Sequence, residues 1–264
     1  MYVIFMFISF YNYLSNMIVL KKPYVLDFLL LLILFAVIVC IIYVMRSSNK
    51  KNFKEGSNKS LKPYMTNNEI ILLEKYYRNS KNYFEFGSGG STVYAIKNNI
   101  ENIESVETDN DWVNRIKKDP LVSNKLKEKK LKIHMFPLNF EWTKAVSWKP
   151  NYKKYLKTCD KHNWHNYSKL IRKCDLKLDL VLVDGRFRVA SCLETIKKVD
   201  NNCFILIHDY RQQKSATSIR GYEFVEKYLD IIEFKDNLYV FKKKQNINFM
   251  ELEMDLEKYN TIPN

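Results

Sequence analysis

Three of the chain's six glycines, Gly87, Gly89 and Gly90, fall within four residues in the segment YFEFGSGGST. In a sequence this poor in glycine, that concentration needs a backbone reason. The segment lies between a short apolar run and a helix-forming stretch. There glycines permit positive φ, let the main chain approach a ligand, and leave the N–H groups of the helix start facing it. A plain strand-to-helix turn usually needs one glycine, so the segment reads as a ligand loop. Its neighbours narrow the ligand. No Gly-Lys-Ser/Thr is present, which removes a triphosphate held by a P-loop. A dinucleotide fingerprint needs glycine where Thr92 stands, and Glu85 would set a carboxylate beside a pyrophosphate. A carboxylate ending the strand instead suits a ligand carrying an ammonium and a sulfonium. Further on, Glu107 ends the run IESVE, where a carboxylate can accept both hydroxyls of a ribose.

These residues need strands to carry them and helices to cover the strands. Thr66 followed by Glu69 and IILLEKYY has capping-box spacing and predicts a helix over 67–79. Strand-type runs follow at 83–86, 103–107, 131–136, 178–184, 203–208, 231–234 and 238–242. The runs LDLVLVD and CFILIHD are apolar throughout, as in strands covered on both faces. Helical stretches fall at 91–99, 110–118, 188–199 and 217–229. Strands alternating with helices predict an α/β fold with a seven-stranded, mostly parallel, doubly wound sheet. Only Lys235-Asp236-Asn237 separates the last two strands, too short for a crossover, so that pair is expected to be antiparallel.

With these motifs in order the sequence resembles the class I S-adenosylmethionine-dependent methyltransferases over about 83–242. The match comprises Glu85 to Thr92 as first motif, Ser105-Val106-Glu107 as ribose motif, VLVDGRFR (181–188) after the fourth strand, and Ile207-His208-Asp209-Tyr210 at the fifth. The resemblance implies a methyltransferase-like fold with S-adenosylmethionine held by Glu85, Gly87, Ser88, Gly89, Gly90, Ser91, Glu107 and Asp184. Two departures stand out. Ser91 replaces the family loop's third glycine, and no acidic residue follows the third strand at Phe136-Pro137-Leu138-Asn139.

Methyl transfer needs an aligned nucleophile and a proton acceptor. In an open α/β sheet the crevice lies outside the carboxyl ends of the strands, where Asp184 and Asp209 are expected to flank it. Neighbouring carboxylates repel unless a proton or cation sits between them. A hard divalent ion, Mg²⁺ or Mn²⁺, bound by Asp184 and Asp209 would relieve that repulsion and lower the pKa of a substrate hydroxyl. The arrangement resembles the metal-dependent O-methyltransferases of catechol type. Their lysine three residues after the aspartate is Phe187 here, which leaves His208 as the candidate base beside Asp184 and Asp209. The alternatives are a helix N-cap for Asp209 and a hydrogen-bonded core residue for His208. Arg186, Arg188 and Arg211 are candidates to bind a carboxylate or phosphate on the substrate. The insertion 138–177, with Trp142, Trp148, Trp164, Tyr152, Tyr155, Tyr167, His162 and His165, suits an aromatic lid over a polar substrate such as a sugar, against the alternative of a local satellite core.

Ahead of this domain, Phe28 to Met45 runs eighteen residues without charge, glycine or proline. At a rise of ~1.5 Å per residue it covers about 27 Å, a bilayer's hydrocarbon thickness. Residues 24–45 therefore read as a single transmembrane helix, preceded by an apolar segment at 1–23 that forms either a second, poorer span or an upstream extension. Lys21 and Lys22 precede the span, while Arg46, Lys50, Lys51, Lys54, Lys59 and Lys62 follow it, which places the domain in the cytoplasm by the positive-inside rule. Residues 46–62 read as a basic linker, 63–244 as the α/β domain, and 245–264 as a docking helix with Phe249, Leu252, Leu256 and Tyr259 on one face.

Composition sets the competing readings. Lys and Arg number 43 against 29 Asp and Glu, a formal charge of +14, which supports a nucleic-acid methyltransferase through phosphate attraction. Against it, the fourth-strand motif is VDGR with neither Asn-Pro-Pro-Tyr/Phe nor a Pro-Cys nucleophile, and lysine is spread along the chain. The leading expectation is O-methylation of a small-molecule or glycan substrate, polar or acidic. A non-catalytic membrane module with this fold is the third reading. Five cysteines, an odd number with no C-x-x-C, argue against a disulfide scaffold.

Overall fold

The computed structural model describes residues 61–137, 163–210, 221–260 and 262, all within one compact unit, Ser60–Asn264. The expected span at 24–45, the 1–23 segment, nearly all of the basic linker, 138–162 of the insertion and Arg211 lie outside the described residues. Among the described residues no helix is long and apolar enough to cross a membrane.

Helix α1 (Asn67–Tyr77) begins with the anticipated capping box, Glu69 N–H donating to Thr66 Oγ1 at 3.2 Å and Thr66 N–H to Glu69 Oε2 at 2.7 Å. Strand β1 (Asn82–Phe86) leads through the glycine loop into α2 (Gly90–Lys97). Then come β2 (Asn102–Glu107), α3 (Asn110–Ile116), α4 (Pro120–Lys127) and β3 (Leu131–Met135). Helix α4 is absent from the sequence-based expectation although its signal is present: Asp119 caps Leu121 N–H at 2.9 Å and Pro120 takes the first helical position. A short α5 (His165–Ser168) and a 3₁₀ turn at Lys169–Lys173 precede β4 (Leu180–Val183), α6 (Arg188–Lys198) and β5 (Phe204–Ile207). The helix expected over 217–229 is instead a 3₁₀ helix at Tyr222–Lys227, with 211–220 outside the described residues. Its buried residues, Tyr222 and Val225, are three apart, the 3₁₀ repeat. Strands β6 (Leu229–Lys235) and β7 (Leu238–Lys243) and helix α7 (Phe249–Tyr259) complete the unit.

The sheet has the order β3-β2-β1-β4-β5-β7-β6, parallel except for β7, which runs antiparallel to both β5 and β6. Alternation along each central strand feeds two cores. Val181 and Val183 of β4 and Phe84 and Phe86 of β1 join the layer with α6, Leu252 and Leu256, while Leu180, Leu182 and Tyr83 join the layer with α1 and α2. This double coverage is why the runs are apolar throughout. On α7, Leu252 and Leu256 are buried, whereas Phe249 is 51% exposed and so does not share their docking face. The order of connection reverses between β1 and β4, the place where open α/β sheets bind ligands.

Candidate functional site

Backbone bonds level the carboxyl ends of the central strands. Gly87 N–H donates to Val106 O at 2.8 Å, Asp184 N–H to Phe86 O at 3.0 Å, and His208 N–H to Val183 O at 3.2 Å. Above these ends opens a cavity of about 890 Å³, within the range of small-molecule sites. Its walls are the loop from Gly87 to Ser91, Glu107 to Asn110 with Trp112, Tyr167, Asp184 to Arg186, and Arg188. The fold thus brings together the glycine loop, Glu107, Asp184, Arg186 and Arg188. Glu85, His208 and Asp209 are not among the lining residues. A further wall is Lys62 to Met65, at the junction that the sequence places between linker and domain.

The glycines answer chain against chain. Gly87 adopts φ +96°, and a Cβ there would meet Gly185 Cα at 3.0 Å, so the turns after β1 and β4 pack back to back. A Cβ on Gly90 would lie 1.9 Å from Lys62 O and 2.5 Å from Pro63 N. Gly90 is therefore glycine because the 62–63 backbone crosses the start of α2, which also supplies the missing sequence signal for the 62–65 wall. At Gly89 the nearest atom would be Trp112 Nε1 at 3.6 Å, an ordinary contact. Ser88 turns its hydroxyl to Ser105 Oγ at 2.7 Å, and its carbonyl accepts Trp112 Nε1–H at 2.6 Å.

Glu85 differs from its expected role. Strand alternation points it, like Tyr83, into the layer of α1 and α2, where it is fully buried. Its carboxylate accepts from Tyr83 Oη at 2.9 Å, Ser91 Oγ at 2.8 Å and Thr92 Oγ1, while Thr92 Oγ1 in turn accepts Gly89 N–H at 2.8 Å. It braces the loop from behind. Burial pushes its pKa up to about 7 even though three hydroxyls favour the anion. Glu107 faces the cavity. Its Oε1 accepts Thr108 N–H at 2.6 Å, Asp109 N–H at 3.1 Å and Thr108 Oγ1 at 3.2 Å. Burial nevertheless raises its pKa above the usual carboxylate value.

Asp184, His208 and Asp209 converge at the ends of β4 and β5, with ligand-type atoms within 4.8 Å of one another. Phe187 and Asp209 hold positive φ, 51° and 55°, in the turns that aim them. A cation stands between the carboxylates, and it is Arg188. Its Nη2 lies 3.0 Å from Asp184 Oδ1 and 3.5 Å from Asp209 Oδ2, Nη1 donates to His208 O at 2.5 Å and Nε to Gly185 O at 3.2 Å. With a guanidinium in that place the residues do not fit a divalent ion held by Asp184 and Asp209. The same bonds spend Arg188 inside the protein, so it is not the substrate-binding fork expected of it. His208 is also placed differently from a free base. Its Nδ1 lies 3.1 Å from Asp184 Oδ1 and its Nε2 3.5 Å from Glu69 Oε2, and the ring is almost wholly buried. Burial lowers its proton affinity, but Asp184, Asp209 and Glu69 outweigh that and raise the pKa. Glu69, read from sequence as a helix cap alone, is thus a third carboxylate around this imidazole. Asp184 is the member of the cluster on the cavity wall.

The described end of the insertion is core. Trp164 and Tyr167 are buried, and both pack on Phe187 with centroids 5.6 Å away. Phe187 thus spends its side chain on this core, where the catechol-type enzymes place a lysine. The Tyr167 hydroxyl accepts Arg186 N–H at 3.3 Å and touches the cavity, and burial raises its pKa. Trp142, Trp148, Tyr152, Tyr155 and His162 lie outside the described residues.

Comparison with known proteins accords with this architecture. A methyltransferase-like protein from Silicibacter pomeroyi superposes with a TM-score of 0.53 and 24% identity, covering 76% of this chain and 97% of that one. The fold is methyltransferase-like. Weaker similarity extends to an O-methyltransferase from Bacillus cereus in complex with SAH, with a TM-score of 0.46, 10% identity, and 88% and 96% of the two chains covered. It extends likewise to an SAH-bound methyltransferase from Podospora anserina, with a TM-score of 0.44, 10% identity, and 67% and 76% covered. The fold assignment rests on the first of these. No protein-family model and no curated protein matches the sequence.

Proposed function

We propose that this chain is an S-adenosylmethionine-dependent methyltransferase that methylates oxygen of a polar or acidic small-molecule or glycan substrate. The observation that carries the reading is one cavity at the topological switch point walled by a glycine loop, a helix start, Glu107 and Asp184. Glu107 would take the ribose hydroxyls, the amides at the start of α2 the polar end of the cofactor, and Trp112 a ring face. S-adenosylmethionine held there would supply an electrophilic methyl group to an acceptor oxygen. Asp184 holds the acceptor hydroxyl and takes its proton as the new bond forms. Arg186, on the same wall, is the candidate for an acidic group of the substrate.

Calorimetry of the full-length chain with S-adenosylmethionine tests the reading. Binding is expected, and Glu107→Ala is expected to weaken it at least about tenfold, the loss of roughly one charge-assisted hydrogen bond. No binding by the wild type would remove the enzymatic reading. Transfer of a labelled methyl group into a cell extract then identifies the acceptor. We further read residues 24–45 as a bilayer span with the domain on the cytoplasmic side, supported by the uncharged 28–45 run and the positive charges after it. Release from membranes by carbonate wash without detergent would overturn that part.

A further inference from the structure

We propose that Arg188 is a built-in substitute for a divalent cation: its guanidinium stands between Asp184 and Asp209, so the site works without a metal and excludes one. The inference rests on the methyltransferase reading for its purpose but not for its geometry. Two carboxylates and a histidine close enough to ligate one ion are a liability unless a positive charge is supplied. Here the charge comes from the first residue of α6, four residues after Asp184. Arg188 is held from several directions. Its three nitrogens donate to Gly185 O, His208 O and the carboxylates, and its guanidinium carbon lies 5.5 Å from the Tyr222 ring centroid. The side chain is 11% exposed. Phe187 fixes the direction of approach. Its buried side chain and left-handed backbone start α6 so that residue 188 reaches across the ends of β4 and β5.

A guanidinium differs from a bound ion in consequence. It is covalently tethered and always charged, it joins the ends of β4 and β5, and it offers no open coordination position to a substrate oxygen. Substrate hydroxyls must then be oriented by Asp184 itself and by the cavity walls. Arg188 is a positioning residue acting through Asp184, and the substrate's catechol-like chelation of a metal is not required.

Manganese binding to the full-length chain in detergent, read by electron paramagnetic resonance of free Mn²⁺, tests this without any activity measurement. Wild type and Asp184→Asn are expected to leave the same free Mn²⁺ signal. Arg188→Ala is expected to bind one Mn²⁺ per chain and to lose it when combined with Asp184→Asn. Arg188→Gln serves in its place if circular dichroism shows the alanine variant unfolded. Mn²⁺ uptake by the wild type that Asp184→Asn abolishes overturns the proposal, and so does a folded Arg188 variant that gains no site. Calorimetry with S-adenosylmethionine on the same samples keeps the two readings separate, since absence of cofactor binding would sink the function while leaving the metal result to stand or fall alone.

Discussion

Glu85→Gln is the substitution that most directly tests how the glycine loop is held. In the folded chain this carboxyl is fully buried among the hydroxyls of Tyr83, Ser91 and Thr92, and its pKa is raised from 4.5 to about 7. The folded state therefore binds the proton more tightly than the unfolded chain. The stability this contributes is fully present below pH 4.5 and is lost as pH rises through about 7. Working the linkage between those two values, wild type should lose about 2 kcal/mol of stability from this group between pH 5 and pH 7, with little further loss above. Glutamine is neutral throughout and nearly the same shape, so the variant should lack that slope whatever constant offset its altered hydrogen bonds introduce. The assay is urea unfolding of both proteins in detergent at pH 5, 6, 7 and 8, read by tryptophan fluorescence. Other titrating groups are common to the two and cancel in the difference. Parallel stability curves for wild type and variant would show that Glu85 is already ionised and solvated in the fold, and the account of a buried brace behind the loop would be wrong.

The glycine contacts make a contrasting pair. Gly90→Ala, whose Cβ would fall 1.9 Å from Lys62 O, should cost roughly 1–3 kcal/mol as the 62–65 wall is pushed away, while Gly89→Ala, with its nearest contact at 3.6 Å, should leave unfolding midpoints nearly unchanged. Arg172 donates to Glu194 from Nε at 2.5 Å and Nη2 at 2.8 Å, and Glu194 is wholly buried on α6. Arg172→Ala should therefore cost about 3 kcal/mol in denaturant unfolding, largely restored when Glu194 is also changed to Leu. Leu252→Ala, at a fully buried position of α7, should cost roughly 2–4 kcal/mol if the C-terminal helix is part of the core. An effect near zero would mean that α7 docks independently of the domain.

Much of the architecture is legible in local pattern. Runs such as LDLVLVD must be covered on both faces, the Thr66–Glu69 capping box closes the first helix, and Lys235-Asp236-Asn237 is too short for anything but an antiparallel turn. The positions of Glu107 and Asp184 at strand ends follow from the same reasoning, because a residue that terminates an apolar run in this topology stands at the crevice. The helix Pro120–Lys127 was legible too, in Asp119-Pro120, and the 3₁₀ helix at Tyr222 less so, since three-residue and four-residue spacings differ little over six residues.

What only the tertiary structure decided is which partner each polar group finds. Glu85 and Glu107 look alike in sequence, each a glutamate at a strand's end. Yet in the parallel register Glu85 pairs with Ser105, two residues short of Glu107 on the same face, so Glu85 is enclosed behind the glycine loop while Glu107 reaches the cavity wall. That residue 90 must be glycine follows from the backbone of Lys62 and Pro63, which crosses it. Arg188 reads as a substrate fork until its donors are counted against the carboxyl ends of two strands. Periodicity and spacing act along the chain over a few residues, and they settle where strands and helices lie. Charge neutralisation and close backbone approach act across the chain between elements, and they are settled by packing.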